Sequence, residues 1–124
     1  MSDCPSYYRL ADGREFFDYC GSDILPMLQE MESMEVHCVV SALEHAFRLG
    51  RKPGTDQHDE KAQAWWMGKA RSLFMERKRR ECTETSFHAA KLERKFDALM
   101  VNVFGNVLGQ RDLAIRVEKR RGKS

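Results

Sequence analysis

The chain has 124 residues and lacks most of the features that would place it at a glance. No apolar run approaches the ~20 residues that a membrane-spanning helix needs. The opening MSDCPSYYRL has no basic-then-apolar secretion pattern. Both absences point to the cytoplasm and to no membrane partner. Cysteines stand at 4, 20, 38 and 82, with no C-x-x-C pair and no regular metal spacing, so reduced thiols are expected and no metal. Cys20 and Cys38 are expected in or near the core, where a free cysteine behaves as a small hydrophobe. There is no G-x-x-x-x-G-K-[ST], which excludes a Walker-type phosphate loop. No repeat, no low-complexity tract and no convincing β alternation between turn signals is found.

What is present is a globular composition, 42% hydrophobic and 32% charged, too apolar for a disordered chain. The length suits one domain over 1–124 with a single core. The net charge of +2 is unevenly spread: residues 1–35 hold eight acids and two bases, and residues 36–124 hold nineteen bases and eleven acids. A basic part of this kind meets nucleic acid, nucleotide or an acidic protein surface, or pairs internally with the acidic N-terminal part.

Periodicity predicts an all-α bundle of five to six helices after a short extended lead-in over residues 1–11. Asp12 and Glu15 suggest a capping box opening a short helix that Gly21 ends. A second runs from Ile24 to Met31, with Pro26 in its first turn. Ser33 is expected to cap a third, Met34 to Leu49, apolar on much of its surface and therefore central. A fourth extends from about Gln57 to Arg80. Thr83 or Thr85 is expected to cap a fifth, Ser86 to Phe104. Its stripe Leu92, Phe96, Leu99, Met100, Val103 and Val107 marks a packed or oligomer-forming face. A short helix over 111–117 follows, and the basic tail 118–124 is expected to fray.

The chain is organised around Ser41 to Trp66. Gly50 is placed to close one helix and Asp56 to cap the next, with Asp59 one turn in. Between them lies Arg51-Lys52-Pro53-Gly54, an exposed turn with two cations beside a helix N-terminus. Such a turn is either a solvated connection or an anion site. Arg48, Arg51, Lys52 and Lys61 are the candidate ligands for a phosphate or an acidic partner. Asp12, Glu15 and Asp18 either hold a metal or a hydroxyl or solvate a short helix. Arg77, Lys78, Arg79 and Arg80 form a second basic surface, or complement a helix C-terminus. His37 and His45 lie about two turns apart, ~12 Å along a helix, too far for one metal to bridge. Of Trp65 and Trp66, one indole packs on the core and the other lies at an edge or meets a partner.

Pro5-Ser6-Tyr7-Tyr8, the acids Asp12, Glu15 and Asp18, the run Arg48-Leu49-Gly50-Arg51-Lys52, and Lys61-Ala62 with Trp65-Trp66 follow one another in an order that resembles a known family. It is the family of small phage nucleotide-kinase proteins called SaV-like, relatives of the T-odd phage deoxynucleotide kinase. The resemblance covers roughly residues 5–75; residues 83–117 would be additional C-terminal helices. Tyr7 stands where the family has histidine, Ser41 where it has asparagine, and Glu44-His45 where it has Lys-Tyr. The resemblance implies a phage accessory protein in the host cytoplasm that binds a nucleotide through the basic connection, with Tyr7, Asp12 and Glu15 behind it. The implied reaction is deoxynucleoside monophosphate phosphorylation, with Mg accompanying the nucleotide.

Two other readings fit the same residues. A non-enzymatic inhibitor would bind a host protein or nucleoprotein complex, in an anti-defence role such as anti-CRISPR. A DNA-binding regulator would use the fourth and fifth helices as a pair.

Overall fold

In the computed structural model, which describes residues 4–82 and 88–122, the chain is all-α. The lead-in makes a 3-10 turn at Ser6–Tyr8. It then folds back so that Arg9 and Glu15 form an isolated antiparallel bridge, with Gly13 at φ 93° in the turn between them. Helix α1 (Phe16–Tyr19) runs into a π-turn at Cys20–Ile24 and a 3-10 turn at Leu25–Leu28. Three longer helices follow: α2 (Ser33–Arg48), α3 (Asp56–Glu81) and α4 (Ala89–Gly122). No described helix is long and apolar enough to cross a membrane.

Helix α2 is central, as its composition predicts. Cys38, Val39, Ala42, Leu43, Ala46 and Phe47 are all buried, and each large apolar side chain among them contributes about 1.5–3 kcal/mol on burial. Phe16 of α1 stacks on Phe47 with centroids 4.8 Å apart, and Phe74 of α3 meets Phe96 of α4 at 5.5 Å. Helices α2 and α3 form the most extensively packed pair. Cys20 and Cys38 lie in the core. On α4, Phe96, Met100, Val103 and Val107 are buried, while Leu92 and Leu99 are half-buried at the stripe's margin.

The helix count is lower than the sequence suggests. Gly105 and Gly109 do not interrupt α4, which absorbs both the fifth helix and the short one over 111–117. Glycine costs about 1 kcal/mol within a helix relative to alanine. Buried Val103, Val107 and Ala114 bracket these glycines and hold the helix together. The helix also continues through 118–122, where fraying was expected. Near the start, Asp12 lies in a turn and accepts the Arg14 N–H at 3.0 Å instead of opening a helix. The helix expected over Ile24 to Met31 reduces to the 3-10 turn around Pro26. Helix α2 is capped by Glu32, not Ser33, with Glu35 completing a capping box. The proposed caps Thr83 and Thr85, and the start at Ser86, lie outside the described residues.

Candidate functional site

The α2–α3 connection is built on Asp59. Its carboxylate is 0% exposed and receives three hydrogen bonds. Arg48 donates Nε–H to Oδ1 at 2.6 Å, His45 Nδ1 lies 2.9 Å from the same oxygen, and Thr55 donates its hydroxyl to Oδ2 at 2.8 Å. Burial pushes the Asp59 carboxyl up, but these hydrogen bonds and the Arg48 charge outweigh burial and hold it below the usual range. The network continues outward. Arg48 Nη1 donates to the Tyr8 hydroxyl at 3.1 Å, and Tyr8 donates to Glu44 at 2.6 Å. Burial and the bond to Glu44 push the Tyr8 hydroxyl up.

This arrangement changes the role of Arg48. The anion it was expected to bind is supplied by the chain itself. Asp56 behaves similarly and accepts the Gly50 N–H at 3.0 Å, closing the turn where Gly50 stands at φ 81°. The two acids at the start of α3 thus occupy the positive end of that helix.

Arg51 is not exposed, as the turn had suggested; its side chain is 2% exposed. It donates to Glu118 at 2.8 and 3.0 Å, to the Ser6 carbonyl at 2.8 Å and to the Tyr7 carbonyl at 3.2 Å. Its guanidinium also lies over the Phe47 ring at 5.0 Å. Lys52 sits over the Tyr7 ring at 5.4 Å, whereas Lys61 points to solvent. The four candidate cations therefore do not converge on one ligand.

Arg51 lines a cleft of about 190 Å³ between the lead-in and the end of α4, together with Arg9, Asp12, Glu118 and Arg121. Of its two acids, Asp12 is engaged by Arg14 at 2.9 Å and Glu118 by Arg51. Asp12, Glu15 and Asp18 do not bring their oxygens to one point, so they form no metal cradle.

The second basic run is divided. Arg77 is buried and grips Glu35 at 2.6 and 2.9 Å, Glu81 at 3.0 Å and the Glu30 carbonyl at 2.9 Å. These bonds, Glu35 first, raise its already high pKa further. Lys78 lies against Phe74. Arg79 and Arg80 are exposed.

Sequence reasoning missed the meeting of His45 with His58, whose ring centroids are 5.6 Å apart. It compared histidines along one helix, and this pair joins two. The available signal was His58-Asp59 at the start of a helix that had to pack beside the end of the one before. Trp66 is half-buried and meets His37 edge-on at 5.4 Å, while Trp65 remains 61% exposed. No family model, no curated protein and no solved structure matches this chain.

Proposed function

We propose that this protein binds the phosphate end of a nucleotide-class ligand, in the cleft between the lead-in and the end of α4. One observation carries the reading: Arg9 and Arg121, from opposite ends of the chain, line one cleft, with Arg51 held against Glu118 in its wall. Guanidinium groups suit phosphate because their planar forks offer paired donors. The cleft is smaller than the roughly 300–1,000 Å³ of sites that enclose whole drug-sized ligands. A phosphate would enter, and the nucleoside would lie over the neighbouring surface. The resemblance to SaV-like nucleotide kinases supports the ligand class and a cytoplasmic location in a phage host. The cleft is proposed in place of Arg48, which is committed to Asp59, and of Lys61, which does not line it.

The test is calorimetric titration with deoxynucleoside mono- and triphosphates at low salt. Binding should weaken about tenfold or more in Arg9→Ala and fall with added salt, since such contacts are screened. A coupled assay with Mg-ATP and deoxynucleoside monophosphates then tests phosphorylation. Binding that ignores both Arg9→Ala and salt would sink the proposal.

A second reading, the non-enzymatic inhibitor of a host protein or nucleoprotein, draws on exposed Trp65. It stands beside Ala64 and Gly68 in a shallow depression of α3, and tryptophan is enriched at binding hot spots. Inhibition of a bacterial defence complex that Trp65→Ala abolishes, with no nucleotide bound, would favour it.

A further inference from the structure

Two imidazoles from different helices meet where α2 ends and α3 begins. His45 lies in the last turn of α2 and His58 in the first turn of α3. Their rings stand edge to face. A ligand-type atom from each of His45, His58 and Asp59 lies within 4.8 Å of the other two.

The hydrogen bonds fix the chemistry of this group. Asp59 is a buried carboxylate already held by Arg48 and Thr55, so it cannot swing out. His45 presents Nδ1 to it at 2.9 Å. With Nδ1 turned to that carboxylate, Nε2 is the nitrogen of His45 left for a metal. A carboxylate behind a histidine is the arrangement that orients metal-binding rings and raises their basicity. His58 is exposed, so its ring can turn without disturbing the core.

We infer that His45 and His58 form a binding site for a first-row transition-metal dication of the zinc class, with Asp59 as the outer carboxylate that orients His45. Imidazole pairs suit zinc, nickel and copper; magnesium and calcium prefer oxygen. Bonds of 2.0–2.1 Å in tetrahedral geometry would bring the two nitrogens to about 3.3 Å. Water would complete the shell on the open side. The Asp59–Arg48 pair behind His45 is internally neutral, so a dication does not face an uncompensated guanidinium. Bound there, the metal ties the end of α2 to the start of α3 and clamps the connection between them. This site shares no residue with the arginine-lined cleft.

The probe is Co²⁺, titrated into the intact chain with its thiols reduced, followed by displacement with Zn²⁺. The expected result is one equivalent of Co²⁺ with visible ligand-field absorption and no sulfur-to-metal charge-transfer band. His58→Ala and His58→Gln should each weaken binding about tenfold or more. Because His58 is exposed, these variants should melt, metal-free, where the parent melts. Zn²⁺ near the parent's Kd should raise the melting temperature of the parent more than that of either variant. Parental affinity in His58→Ala, a thiolate charge-transfer band, or no stoichiometric uptake by the parent would each overturn the assignment.

Discussion

Arg77 on α3 and Glu35 on α2 form a two-point ion pair across the helix interface. Nε–H reaches one carboxylate oxygen at 2.6 Å and Nη2–H the other at 2.9 Å. Both side chains are buried, 9% and 4% exposed. Removing Arg77 leaves Glu35 as an uncompensated buried charge, which costs about 3–5 kcal/mol. Arg77→Ala should lose that much in urea denaturation, and Glu35→Ala less, because Arg77 keeps Glu81 and the Glu30 carbonyl. The double change Glu35→Met with Arg77→Leu should recover most of it. Single variants within 1 kcal/mol of the parent would show that the pair is not desolvated as described.

Arg51→Glu should destabilise the fold by roughly 2 kcal/mol, a figure reduced from the buried-pair range because Glu118 is 43% exposed. The lost contacts are Glu118, two lead-in carbonyls and the Phe47 face. The new carboxylate would also face Glu118. Lys52→Glu, which gives up only a contact with Tyr7, should change stability by a few tenths of a kcal/mol. Equal effects at the two positions would contradict the clasp around Arg51.

Acid should weaken the protein partly through Asp59. Its folded carboxyl is held below the ordinary value, so near pH 3.9 the unfolded chain takes up a proton that the folded chain refuses. The stability contribution is present above that pH and is lost as pH falls through the folded value. Between pH 5 and pH 2, stability should fall less steeply in Asp59→Asn than in the parent. Identical slopes would show that Asp59 does not contribute to the acid transition.

Helix α4 should be unequal along its length. Phe96→Ala removes a buried ring from the contact with Phe74 and should cost about 3–5 kcal/mol. Val101→Ala, on the exposed side of the same helix, should stay within about 0.5 kcal/mol of the parent. Thermal melts of the two variants check the difference directly.

Much of this fold is legible in local pattern. The apolar face of α2, the stop at Gly50 and the α4 stripe follow from helical spacing and capping. The continuity of α4 past Gly105 and Gly109 is not legible, because tertiary burial of Val103, Val107 and Ala114 overrides glycine's propensity. The candidate site is harder still. The sequence shows that Arg48, Arg51 and Arg77 are cations, but not that Asp59, Glu118 and Glu35 are waiting for them. Those pairings join residues far apart in the chain, and composition treats a paired charge and an available one alike.

The grip of Arg51 has a consequence for folding order. Most contacts of an α2–α3 hairpin are near in sequence and form early. Ser6, Tyr7 and Glu118 must travel from opposite ends of the chain to reach one guanidinium. Loop-closure entropy makes that clasp the costlier contact to form. Once closed, it makes the lead-in and the last turns of α4 share one fate: loosening either end withdraws a partner that holds the other.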